Sequence, residues 1–183
     1  MASIGVGVAN AIWQGGWTID GVGAASRITA RLAFLLFILA WTAQAMAKRW
    51  PGGWRAALLR RRRALGLAFA GVHGVHLVAL SIGMFVFGRD SSLISVIGGG
   101  FAYVIIAFMA LTSHNSMVHW MGPARWRAFH SAGGWVVAGV FAFTYAGRIG
   151  SRPDLAFFGL GVLALALAIK FLPFRLHRHS STA

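Results

Sequence analysis

The 183 residues include no cysteine. Without thiols there can be no disulfide, thiolate metal site, iron–sulfur cluster or covalent c-type haem attachment, which needs a C-x-x-C-H run. Acidic residues are nearly absent as well: Asp20, Asp90 and Asp154 are the three. No carboxylate pair is on offer for acid–base work. Charged residues of both signs amount to 11%, where soluble domains carry about a quarter. That scarcity excludes a disordered tail and a soluble Rossmann or barrel enzyme. The GVG and GGG runs are not phosphate loops, because no GxxxxGK[ST] follows a strand, and a zinc protease signature is missing.

What is present is apolar and cationic. Hydrophobic residues make up 58% and the mean hydropathy is +0.71, which points to a polytopic membrane protein. A span needs about 20 apolar residues to cross roughly 30 Å of hydrocarbon. Five stretches qualify, at about 28–47, 64–88, 93–112, 127–147 and 155–174. A spanning barrel would show polar alternation, which is absent, so the expected fold is all-α, a bundle of five transmembrane helices. Seventeen Lys and Arg give a formal net charge of +14, a balance usual in nucleic-acid binders. Here the cations sit beside the apolar runs, so membrane lipid rather than nucleic acid is the expected partner.

Charge also sets the expected topology. Twelve cations fall on one side: Lys48, Arg49, Arg55, Arg60 to Arg63, Arg125, Arg127, Lys170, Arg175 and Arg178. Five fall on the other, Arg27, Arg31, Arg89, Arg148 and Arg152, together with all three acids. The positive-inside rule then puts the N-terminus outside and the C-terminus in the cytoplasm. Residues 1–27 read as an external Gly-rich interfacial segment, with Trp13 and Trp17 as an anchor and no charged n-region of a signal peptide. Residues 175–183, with His177 and His179, read as a basic cytoplasmic tail. Ser113, His114 and Ser116 are close in sequence, but no acid lies on their side to complete a triad. Trp120, Trp126 and Phe129 read as interfacial belt residues or a docking surface.

The chemistry-bearing residues are then His73, His76 and His130. His73 and His76 lie 9 and 12 residues into the second stretch, roughly 14 and 18 Å deep, and their i,i+3 spacing puts them on one side of a helix. An imidazole within a span is costly and faces the bundle interior. Two readings stay open: a neutral imidazole bonded to a carbonyl or hydroxyl, or a cofactor ligand. His130 stands near the start of the fourth stretch, only about 5 Å deep. Small residues follow it at Gly134, Ala138, Ala142 and Ala146, and a matching set, Gly66, Ala70 and Gly74, runs along the second stretch. Such stripes suit close helix packing, or leave room for a flat macrocycle held by axial imidazoles.

Two motifs carry a resemblance. RRRALGLAFAGVHGVHL, from Arg61 to Leu77, has a basic pair, an L-G-L and a histidine, His76, ten residues after Gly66. LTSHNSMVHWMGPARWRAFH, from Leu111 to His130, resembles a pattern L-T-S-x-N, then L-G, then W-x-x-L-H. Together they resemble the ferric-reductase-like transmembrane domain family, and within it the haem-binding membrane subunits of bacterial methionine sulfoxide reductase systems. The likeness runs from about Gly21 to Lys170. It implies a haem b protein of the bacterial inner membrane that moves electrons, with His76 and His130 as iron ligands and His73 as a substitute. The family typically has six helices, and the one missing here is the first, which agrees with an external N-terminus. A protein partner on the cytoplasmic side or within the membrane is implied, and a flavin is a second candidate cofactor facing the basic 47–63 loop.

The departures matter. In the family the outer haem pairs the histidine at His76 with one about 13 residues after His130, where this chain has Phe143. The inner haem of related oxidases pairs the histidine at His130 with one about four residues before Gly66, where this chain has Arg62. His76 and His130 therefore resemble one half each of two haem sites. The alternative is a redox-silent structural or assembly subunit of a larger membrane complex. A solute or lipid carrier is a third class, and Gly98 to Gly100 offers it only a weak kink.

Overall fold

A computed structural model describes residues 16–171 of the chain. The expectations for Trp13 and the rest of 1–15, for the end of the fifth stretch and for the tail with His177 and His179 lie outside the described residues. Within them there are seven helices and no strand. They are α1 (Ile19–Arg49), α2 (Gly53–Arg60), α3 (Arg62–Phe85), α4 (Leu93–Leu111), α5 (Asn115–Met121), α6 (Pro123–Ala146) and α7 (Pro153–Phe171). Hydrocarbon offers backbone N–H and C=O groups no water, so helices that bond their own backbone are the form such apolar runs take.

The breaks between helices have local causes. Thr18 caps α1, its hydroxyl accepting from the Gly21 N–H at 3.2 Å. Pro51 and a positive-φ pair, Gly52 (92°) and Gly53 (54°), separate α1 from the short α2. Ser92 caps α4, and Pro123 opens α6 behind Gly122 at φ 78°.

Four helices, α1, α3, α4 and α7, are long and apolar enough to cross a membrane. The expectation of five differs by α6, which has the length at 24 residues but not the composition. Arg125, Arg127 and His130 occupy its first turns. The first helix also begins earlier than the hydropathy suggests, at Ile19 rather than near 28. Its opening turns bury Gly21, Val22, Gly23, Ala25 and Ser26. These side chains are too small or polar to score as a span, yet they let neighbouring helices close on α1. Gly98 to Gly100 do not interrupt α4.

Contacts between helices fix an alternating arrangement. At one end Arg62 reaches the Ala40 carbonyl (3.1 Å) and Lys170 the Trp41 carbonyl (3.4 Å). At the other, Trp17 meets Phe87 and Arg89 reaches the Ile19 carbonyl. Most of the described cations gather at the first, basic end. Between the ends runs an aromatic core. Phe34 meets Phe141 and Tyr145 edge-on, both at 5.0 Å, and Phe37 packs on Trp41 and Phe69 at 5.4 and 5.5 Å. Each such pair contributes about 0.5–1.5 kcal/mol beyond the area it buries. The outward face of α4 is as apolar as the core, with Leu93, Ile97, Phe101, Val104 and Phe108 exposed, as expected for a surface meeting lipid.

Glycine makes the α6–α7 seam, since a Cβ on Gly159 would overlap the Tyr145 ring. Gly159→Val is expected to destabilise the bundle by roughly 1–3 kcal/mol and to lower the melting temperature in detergent by several degrees. Gly161→Ala, whose Cβ meets nothing within 4 Å, serves as the neutral control. Equal melting of the two variants would refute this packing.

Candidate functional site

His73 and His76 come together as their spacing requires, with ring centroids 5.5 Å apart. The surroundings of the two differ. His76 Nδ1 lies 3.2 Å from Thr29 Oγ1 on α1. The Thr29 hydroxyl hydrogen is already committed to the Ala25 and Ser26 carbonyls, at 2.8 and 3.1 Å. Thr29 therefore accepts, His76 donates from Nδ1, and Nε2 keeps its lone pair. Arg148 lies within electrostatic range of His76. His73 has only ring neighbours: Tyr103 at 4.7 Å, Phe69 at 5.3 Å and Phe141 at 6.0 Å. Its buried Nδ1 has no partner.

His130 is held by the same device at the basic end. Thr112 Oγ1 donates to the Phe108 carbonyl at 2.7 Å and so accepts from His130 Nε2 at 3.1 Å. Nδ1 is left with the lone pair. Trp126, one turn earlier on α6, stacks on the imidazole at 4.1 Å and is itself fixed by its N–H on the Thr112 carbonyl at 2.8 Å. Trp126 is thus a support for His130, whereas Trp120 is 81% exposed.

His130 lines a cavity of about 450 Å³ at the basic end. Arg60, Arg62 and Arg63 supply its positive wall, and Phe37, Trp41, Phe69, Ile106 and Val137 are among its apolar walls. Gly66, Ala70, Ala110 and Gly134 leave the space open. Arg62 donates through Nε to the Ala40 carbonyl and through Nη1 to Gln44 at 3.4 Å, which ties it to α1. Arg63 donates to Asn115 Oδ1 of α5 at 2.7 Å. Ligand sites of this kind span roughly 300–1,000 Å³, mostly apolar with a few placed polar groups.

The histidines do not share this space. The cavity wall includes His130 but neither His73 nor His76. His76 lies 14 residues into α3 and His130 seven into α6, so the two differ by roughly 10 Å in depth. Phe69 and Phe141 pack between His73 and the aromatic core that borders the cavity. Arg62, where the resemblance implies a second imidazole for His130, lines the same cavity. Phe143, where it implies a partner for His76, is 65% exposed. Among the described residues no three His, Cys, Asp or Glu gather into a metal-binding group.

Thr112, Asn115 and Trp126 stand at motif positions in the Leu111–His130 stretch, but their roles around His130 were not readable there. Thr29, the partner of His76, left no signal in the sequence. Thr29→Ala would strip the buried His76 N–H of its acceptor, with an expected loss of about 1–3 kcal/mol of stability in detergent, while Thr29→Ser keeps the bond. Melting curves that do not separate the two variants would disprove the assignment. Comparison with known families, with curated proteins and with solved structures finds no match for this chain.

Proposed function

We propose that this chain is an integral-membrane electron-transfer protein that holds one b-type haem in the cavity at its basic end. The observation that carries the reading is the composition of that one cavity: an imidazole, three arginines and five glycines and alanines around about 450 Å³. The volume suits a planar macrocycle, and guanidinium groups suit its carboxylate side chains. Bound haem supplies a one-electron iron couple. His130 is the ligand, its ring oriented by Thr112 and Trp126. Arg60, Arg62 and Arg63 neutralise the carboxylates, and the apolar walls exclude water. Only one wall carries an imidazole, which favours a haem held by His130 over one shared between His76 and His130.

In this reading α6 is a fifth span, sheltered by α4 and α7, with its cationic first turn at the interface. The basic end faces the cytoplasm of a bacterial inner membrane, following the positive-inside rule. A donor protein meets the exposed arginines of that end.

One observation favours the rival reading, a redox-silent assembly subunit. Both positions that would pair with His76 and His130 hold other residues, Phe143 and Arg62. Reduced-minus-oxidised absorbance of the purified protein separates the two. A b-type Soret band is expected, lost in His130→Ala, weakened in Arg62→Ala with Arg63→Ala, and retained in His76→Ala. Colourless protein from haem-replete cells would defeat the haem reading and leave the structural one. The topology is checked separately: a reporter fused after Gly150 is expected outside, and one fused after Gly53 inside.

A further inference from the structure

A second binding site lies at the opposite end of the bundle, where α3 finishes beside the first turns of α1. Beyond Phe85 the chain reverses at Gly88, φ 63°, and the Arg89 N–H closes on the Gly83 carbonyl at 2.9 Å. This turn folds the Arg89 side chain back over Gly83 and onto α1. A Cβ placed on Gly23 would stand 2.6 Å from Arg89 Nη2 and 3.3 Å from Arg27 Nη1. Two guanidinium groups, one from α1 and one from the turn after α3, thus converge on one point, and the missing side chain of Gly23 is what admits them.

Nothing among the described residues balances these charges. No carboxylate lies within ion-pairing distance of Arg27 or Arg89, although Asp20 and Asp90 are close in sequence. Among the described residues the one hydrogen bond made by either guanidinium runs from Arg89 Nη2 to the Ile19 carbonyl, at 3.4 Å. Like charges held this near each other repel, and more strongly beside hydrocarbon than in water. An anion between them reverses the sign.

Depth indicates which anion. With 31 residues α1 is roughly 46 Å long, well beyond the ~30 Å of hydrocarbon it crosses. Arg27 lies eight residues in, about 12 Å from the start, within the roughly 16 Å by which α1 exceeds the hydrocarbon. Trp17 and Phe87, 6.2 Å apart, cover the same end. We propose that Arg27 and Arg89, above Gly23, form a binding site for a phosphate group, supplied by a phospholipid headgroup or by free phosphate. The planar fork of each guanidinium matches two phosphate oxygens. The site is independent of the cavity and of haem.

The test uses the full chain, delipidated in a maltoside detergent, with thermal melting as the readout. Short-chain phosphatidylglycerol at saturation is expected to raise the melting temperature by about 3 °C or more. The rise should vanish in Arg27→Gln, in Arg89→Gln and in Gly23→Ala, whose methyl displaces the guanidinium groups. Arg27 is exposed, so Arg27→Gln keeps the experiment readable if Arg89→Gln fails to fold. A rise with phosphatidylglycerol alone identifies the headgroup as the source, and an equal rise with inorganic phosphate identifies the free anion. The proposal is overturned if neither ligand raises the melting temperature. It is also overturned if diacylglycerol of the same chain length works as well, or if Arg27→Gln responds like the parent.

Discussion

Everything in this bundle is positioned by the seam between α1 and α3. Lipid tails give apolar helices no hydrophobic reason to associate, so the seam rests on close packing and on the few polar bonds that cross it. Its two halves are built differently. In the outer half α1 buries Gly21, Gly23, Ala25, Ser26, Thr29 and Ala33, side chains small enough to bring the axes near. In the basic half α1 sets Phe37 against Phe69, with Trp41 stacked on Phe37. The cavity opens in this half, between Phe37, Ala40 and Trp41 on one side and Gly66, Phe69 and Ala70 on the other.

One device orients both His76, across this seam, and His130, between α4 and α6. Thr29 and Thr112 each turn their hydroxyl hydrogen to a carbonyl of their own helix and offer the oxygen to an imidazole on another. Each bond fixes a tautomer and leaves the other nitrogen as a base. For His76 that nitrogen is Nε2, in a ring that does not line the cavity; for His130 it is Nδ1, in a ring that does. Two residues alike in the sequence are thereby given different chemical prospects by the helices that flank them.

Much of this was legible in one dimension, and the exceptions have physical causes. Long apolar runs mark α1, α3, α4 and α7, because hydropathy and helix length answer directly to hydrocarbon thickness. The start of α1 was hidden because Gly21, Gly23 and Ser26 contribute through what they allow to approach, which hydropathy does not measure. The separation of His76 from His130 was visible in helix arithmetic. The mismatch at Phe143 was visible too: 13 residues beyond His130 at about 100° each is roughly 220° around α6, so that position turns away from the face carrying His130, while Phe141 and Tyr145 return to it. The threonine partners were not visible, since a hydroxyl's role depends on which helix lies opposite. Nor was the convergence of Arg60, Arg62 and Arg63 on His130, which requires α3 and α6 to meet around one space.

Lys170 has a bearing on how the chain assembles. Its ammonium reaches back 129 residues to the Trp41 carbonyl and lies over the Trp41 and Trp135 rings, at 4.5 and 5.7 Å. Leu163 and Ala166 of the same helix fill the aromatic core beside it. Helices entering a membrane in order of synthesis would therefore leave the flank of α1 unsealed until α7 arrives. The last of these helices to be made is thus the one that shuts the flank of α1, and Lys170 fastens it there.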